Sequence, residues 1–314
     1  MEEVARFLPA ARAEGGRAMK LTYRPTEERD LPECVRLVQH GPAPPGAADR
    51  LLHVWCALRT RDALNSAVME DQERPAGRRL VHFGASVFVT DDFAREVRAR
   101  PRPCLSDVVL DRILAGHSPV LDAPAIRHAN TGGGLNVFVL HVGMAAALDP
   151  DERQAVLARA PDTFFLVHQG FRLKEILLQY EDEGPQRFAE AGGFQWRDRA
   201  SGLLGLTREE ARARPGAYAG RLFAYEPPRL GFGAREQQIL QRALLGETDA
   251  ETAEALHLAT DTVKARWRGI YGRVAERAPE LLPQGEGADL KRGAEKRRHL
   301  LHYLRHHPEE LRPV

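Results

Sequence analysis

Three residues near the end of this 314-residue chain have the types and spacing to touch the edges of base pairs: Lys264, Ala265 and Arg268. At i, i+1 and i+4 they share one side of a helix expected from Thr260 or Asp261 to about Ala275. A small residue between two long cations lets such a helix approach a groove while the cations reach guanine or phosphate oxygens. Arg266, Arg273 and the hydroxyls of Thr260 and Thr262 are placed for backbone phosphates, which position a protein without specifying a sequence. The partner these residues predict is double-stranded DNA. A solvated basic helix would present the same side chains, so the surrounding elements have to decide.

Those elements read as a helical module. Val263, Trp267, Ile270 and Val274 form a second, apolar stripe on the same helix at i, i+4, i+7 and i+11. An earlier helix, about Ala234 to Leu245, turns Ile239, Leu240, Ala243 and Leu244 inward, and Gly246 ends it. Thr248 and Glu251 have capping-box spacing for a short helix ending near Leu256. His257-Leu258-Ala259 is then the turn, pinned by Leu258. The predicted core is Leu240, Ala253, Leu258, Val263, Trp267 and Ile270. Charge is uneven: two basic and six acidic residues lie in 235–261, eleven basic and five acidic in 262–305. Such polarity turns one face toward phosphate.

Residues 232–274 resemble the C-terminal DNA-binding domain of LuxR/GerE-type regulators. The resemblance is carried by Arg235-Glu236, Gly246, Glu251-Thr252-Ala253, Leu256, Thr262-Val263-Lys264 and Ile270-Tyr271. It implies a transcriptional regulator, not an enzyme, that binds DNA as a homodimer on a two-fold-related site with Lys264, Ala265 and Arg268 at the bases. The chain departs from the pattern at Thr252, where isoleucine is usual, and at Ala259, where a serine usually caps the helix. Ala278-Pro279-Glu280-Leu281-Leu282-Pro283 allows barely a turn where the family has a fourth helix.

The rest of the chain reads as α/β, so the fold class expected is a mixed α+β N-terminal domain plus an all-α C-terminal helix-turn-helix domain. Residues 1–18 read as a loose leader, 19–226 as a sensory or dimerisation domain, 229–283 as the helix-turn-helix, and 289–314 as a basic helix and tail. Residues 79–90 and 135–142 are β-branched, aromatic and nearly all apolar, as strands buried on both faces are. Helices are predicted over 26–39, 49–72, 101–114, 150–160, 170–180 and 290–307, and short strands over 203–206 and 221–225. Glu226-Pro227-Pro228 marks the boundary. Composition is ordinary, with 43% hydrophobic and 28% charged residues, which excludes a disordered chain. No run approaches the roughly 20 apolar residues of a membrane span. Cys34, Cys56 and Cys104 are sparse and unpaired in spacing, which fits a cytoplasmic protein without a structural metal.

For the first domain three companions of such a module can be weighed. A phosphorylated receiver fails because residues 135–142 hold no Asp, and a lactone receptor fails for want of clustered aromatics. An acetyltransferase-like (GNAT) fold is resembled by Leu21-Thr22-Tyr23-Arg24-Pro25 with Glu28-Arg29-Asp30-Leu31-Pro32, and by Phe188-Ala189-Glu190-Ala191-Gly192-Gly193-Phe194. Its diphosphate loop, Gln/Arg-x-x-Gly-x-Gly/Ala, is nearest at Gln169-Gly170-Phe171-Arg172, with the wrong spacing. The resemblance therefore implies a degenerate fold that senses a small-molecule or protein signal or dimerises; a PAS- or GAF-like sensor stays open. The alternative function is an acyl-CoA-dependent N-acetyltransferase-like enzyme with a helical appendage. No GxSxG, HExxH or Walker loop occurs. His82 and His141 read as core histidines, and no cofactor or metal is expected.

Overall fold

The computed structural model describes residues 19–39, 44–283 and 289–313. They divide into two compact units, one comprising residues up to His168 with Arg172–Phe223, the other Gln169–Phe171 with Ala224–Val314. The segment expected as a leader, 1–18, lies outside the described residues.

In the first unit the order is β1 (Leu21–Pro25), α1 (Leu31–Val38), α2 (Ala47–Thr60), β2 (Asn65–Asp71), β3 (Leu80–Val89), α3 (Asp91–Ala99), α4 (Leu105–Leu114), α5 (Ala123–Thr131) and β4 (Leu135–Met144). It continues with α6 (Pro150–His168), β5 (Leu173–Gln179), α7 (Glu183–Ala191), β6 (Gln195–Asp198), β7 (Leu203–Thr207) and α8 (Arg208–Ala213), and closes on a 3-10 turn, Tyr218–Phe223. The seven strands form one sheet in the order β1-β2-β3-β4-β5-β7-β6. All neighbours are antiparallel except β4 and β5. A parallel pair needs a crossover, and α6 supplies it. Helices cover both faces. Leu31, Trp55, Phe93 and Leu105 pack with Phe83 and Phe138 on one side, and Val156 of α6 packs with Met69 and Val81 on the other.

Several predicted elements are corrected. The helix expected to reach Gln72 stops at Thr60; the chain reverses through Asp62, which is left-handed at φ 52°. Residues 65–71 become β2 because pairing with β1 and β3 on both sides outweighs the helix preference of Ala67, Met69 and Glu70. The helix expected over 170–180 is β5, with Leu173, Ile176 and Leu177 fully buried between neighbouring strands. α6 runs on past 160 to His168, through Pro161, and the strand expected over 221–225 is the 3-10 turn.

The second unit is helical over its described elements: α9 (Ala234–Leu244), α10 (Asp249–Ala255), α11 (Thr260–Arg277), a 3-10 turn (Pro279–Leu281), α12 (Asp289–His306) and a last 3-10 turn (Pro308–Leu311). Thr248 caps α10 by accepting from the Glu251 amide, and the Glu251 carboxylate accepts the Thr248 amide in return. Leu300, Tyr303 and Leu304 of α12 join the core formed by Ile239, Leu240, Trp267 and Ile270. The fold class is thus mixed α/β, with a seven-stranded sheet and many helices. Among the described residues no helix is long and apolar enough to cross a membrane.

Candidate active site

The sheet opens where its parallel pair ends. β4 and β5 are in register from Leu135 with Leu173 to Phe138 with Leu177. Beyond that, β4 stays on β3 as far as Met144 opposite His82, while β5 stays on β7 as far as Gln179 opposite Leu203. The two halves of the sheet part, leaving a fork between strands. From the α4 side the fork is partly filled: the Ser106 hydroxyl donates to the Leu140 carbonyl at 2.5 Å, and the Leu105 amide donates to the Gln179 side chain at 2.8 Å.

On the α6 side lies a cavity of about 90 Å³, walled by Val139 and Val142 of β4, Leu178 and Tyr180 beyond the fork, and Phe164 and His168 of α6. Its floor is β3, with His82, Gly84 and Ser86, and Asn65 of β2 stands beside them. Asn65 is the cross-strand partner of Ser86. The register of β3 on β4 slips between Ala85 and Ser86 because β4 carries one extra residue there, Leu140, between His141 and Val139, while β3 stays in regular register with β2 at that point.

Ser86 and His168 form a buried pair, Oγ to Nε2 at 2.6 Å. His168 Nδ1 lies 2.8 Å from the Phe164 carbonyl oxygen. A carbonyl only accepts, so Nδ1 carries the proton; the neutral ring then offers the Nε2 lone pair, and the Ser86 hydroxyl donates to it. That is the arrangement of a nucleophile, its base and a group that orients the base, with a backbone oxygen in the third place. Two further nitrogens in the cavity wall, Asn65 Nδ2 and His82 Nδ1, are buried and unbonded. Burial pushes His82 down to about 4, so the ring is neutral near pH 7. Burial likewise raises the Tyr180 hydroxyl to about 12, and it raises Tyr218 further with Tyr180 close by. Both phenols therefore stay protonated. His141, the other predicted core histidine, sits edge-on to Trp55 at 5.4 Å and is also lowered to about 4 by burial.

No family model and no curated protein matches the sequence. Solved structures are similar. The C-terminal condensation domain of Ebony, in complex with beta-alanyl-dopamine, is 16% identical over 57% of this chain and 84% of that one, with a TM-score of 0.37. The spermidine/spermine N-acetyltransferase SpeG from Vibrio cholerae is 14% identical over 62% and 98%, with a TM-score of 0.34. A GNAT family acetyltransferase from Brucella melitensis, in complex with acetyl-CoA, is 13% identical over 60% and 89%, with a TM-score of 0.32.

A diphosphate, such as that of coenzyme A, suits free amides at a helix N-terminus. The helix that follows the fork strand β4 is α6, and its first turn is closed by its own carboxylates. Asp149 Oδ1 accepts the Glu152 amide at 2.8 Å, and Glu152 accepts the Asp149 amide at 3.2 Å while pairing with Arg74 at 2.9 Å. Pro150 has no N–H to offer. The spacing of the diphosphate loop does recur here, as Arg153-Gln154-Ala155-Val156-Leu157-Ala158, but the central glycine is Val156, fully buried in the core. These residues do not fit a diphosphate. The sequence candidate, Gln169 to Arg172, follows the opposite end of α6.

On α11, Lys264, Ala265 and Arg268 are exposed, as are Thr262 and Arg266, with Thr260 half-buried. Lys264 lies 3.4 Å from Asp261. Arg273, expected at phosphate, is 3.4 Å from Glu236, the carboxylate that caps α9 through the Gly233 amide. Leu240, Ala253, Val263, Trp267 and Ile270 are buried and Leu258 is half-buried. Arg297 of the basic tail covers the Trp267 ring at 4.5 Å and pairs with Asp249 at 2.8 Å.

The structures to which the chain is similar are acetyltransferases and, in Ebony, a condensation domain. That finding overturns the expected LuxR/GerE-type transcriptional regulator, its double-stranded DNA partner, the homodimer inferred with it, and the reading that the chain is not an enzyme. The physical reason is that exposed cations on a helix look alike in sequence whether they meet phosphate or water. Here Arg273 and Arg297 are engaged within their own unit.

Proposed function

We propose that the first unit is an acyl-transfer enzyme whose donor lies in the β4–β5 fork with its acyl group in the cavity above Ser86 and His168. The carrying observation is that the fork, where strand backbone is left without a ladder partner, borders a cavity whose wall holds a Ser–His pair and two unbonded nitrogens. A cavity of about 90 Å³ is smaller than the ~150 Å³ space that holds benzene, so the acyl group is short. Because the first turn of α6 is acidic, the donor is recognised by its acyl and thioester or ester end, not by a diphosphate.

The helical second unit, built on α9, α10 and α11 in a helix-turn-helix order with α12 against them, is an appendage to that enzyme. Free Cys34, Cys56 and Cys104 suit a reducing, cytoplasmic setting. The test is thiol release from acetyl-CoA and from acetyl-pantetheine with a panel of amine acceptors, together with calorimetry of each donor. Release from either donor is expected. No release and no binding heat at millimolar donor would remove the reading.

A further inference from the structure

We infer that Ser86 is an acyl-accepting nucleophile, with His168 as its base and the Asn65 amide as donor to the oxyanion, so that transfer runs through an acyl-serine. The inference deepens the acyl-transfer reading and rests on it. Two independent features meet at this point of the cavity wall. First, the tautomer of His168 is fixed by the Phe164 carbonyl so that Nε2 takes the hydroxyl proton of Ser86, 2.6 Å away. Second, Asn65 stands directly across from Ser86 in the ladder, and its amide nitrogen is buried without a partner.

Native interiors rarely leave such a donor unbonded. A tetrahedral oxygen formed on a carbon attached to Ser86 would lie within reach of it, since cross-strand neighbours have Cβ atoms about 5 Å apart. His82 Nδ1, on the same strand as Ser86, is also buried and unbonded.

The chemistry balances without any other reactant. Ser86 Oγ bonds to the acyl carbon of an ester or thioester while its proton passes to His168 Nε2. The bond from that carbon to the leaving oxygen or sulfur then breaks, and the leaving group takes the proton from the imidazolium. An amine or water next attacks the acyl carbon, giving its proton to His168, and Ser86 leaves and recovers that proton.

The experiment uses the full chain with 4-nitrophenyl acetate as probe. A stoichiometric burst of nitrophenolate is expected, with a mass gain of one acetyl group on the peptide that carries Ser86. Ser86→Ala abolishes burst and label, and His168→Ala slows acylation by about 10³-fold. Ser86→Cys, isosteric and folded by its thermal melt, restores a label that hydroxylamine removes at neutral pH. A wild-type burst in Ser86→Ala, or label only at other residues, overturns the inference. Thiol release from acetyl-pantetheine that is undiminished in Ser86→Ala would leave the transfer reading standing without the acyl-serine. A labelled Ser86 in a protein that releases no thiol would do the reverse.

Discussion

Gly84 offers a direct way to ask whether the cavity is the acyl site. It lies on the floor of the cavity, on β3, and its φ is not in the left-handed region. A Cβ built there would meet one heavy atom within 4 Å, the Cε1 of His82 at 3.8 Å, which is ordinary contact distance. Gly84→Ala therefore adds a methyl to empty space without strain, and in a strand alanine replaces the most flexible residue. Stability should hold or rise slightly. The space is about 90 Å³, and one water position needs roughly 10–15 Å³, so a single methyl removes a real fraction of it.

An acetyl group should still fit; propionyl and butyryl groups should not. Crowding of one methylene in an apolar pocket is worth about 1–3 kcal/mol, or about 10- to 200-fold in kcat/KM. The assay is kcat/KM for acetyl, propionyl and butyryl pantetheine with wild type and Gly84→Ala, alongside thermal melts. The expected result is a ratio of acetyl to butyryl at least tenfold higher in the variant at unchanged Tm. An unchanged ratio in a folded variant would show that acyl chains do not occupy this space.

Two further outcomes follow from charge. Removing the carboxylates that close α6, in Asp149→Ser with Glu152→Gly, should improve kcat/KM for acetyl-CoA relative to acetyl-pantetheine, whereas the native chain should treat the two donors within about tenfold of each other (~1.4 kcal/mol); strong native preference for acetyl-CoA would refute the misfit at that turn. His82 and His141 are both held near 4 by burial, below an ordinary 6.5, so the unfolded chain binds protons that the folded one refuses. Stability is therefore full above about pH 6.5 and falls as pH drops toward 4, by about 3 kcal/mol per histidine at most. Glu210, lowered to about 2 mainly by its hydrogen bonds from Arg197, acts only below its ordinary 4.5, and Glu33 and Glu175, raised by burial, act in the opposite sense to the histidines, so a fall in urea midpoint between pH 6.5 and 5 reports the histidines. His82→Asn with His141→Asn should flatten that slope, and a wild-type slope in the double variant would refute the assignment.

What could be read from the chain depended on how local the signal was. β3 and β4 were legible because Leu80–Val89 and Leu135–Met144 carry nearly unbroken apolar runs. The capping box of α10 was legible because both partners lie within four residues. β2 and β5 were not, since Ala67, Met69, Glu70 and Lys174 favour helices on their own and only neighbouring strands on both sides make them extended. The site was illegible for a related reason. Ser86 and His168 are 82 positions apart, one in an apolar strand and the other at the end of a helix, and no spacing rule joins them. His82 was visible as a buried histidine, but the unbonded nitrogen that makes it interesting exists only in the folded cavity. Meanwhile Lys264 and Arg268, conspicuous in sequence, are exposed on α11, with Lys264 3.4 Å from Asp261.

The same helix links fold and chemistry. α6 is the crossover that lets β4 and β5 run parallel and then part, so it creates the fork. Its first turn is closed by Asp149 and Glu152, which accept one another's amides. Its last residue is His168, and one turn earlier the Phe164 carbonyl sets the tautomer. Anchoring between those ends comes from Val156, fully buried against Met69 and Val81. Val156 fixes the helix to the sheet, and His168 lies twelve residues, just over three turns, further along it. Such anchoring is what holding a serine and an imidazole at 2.6 Å requires.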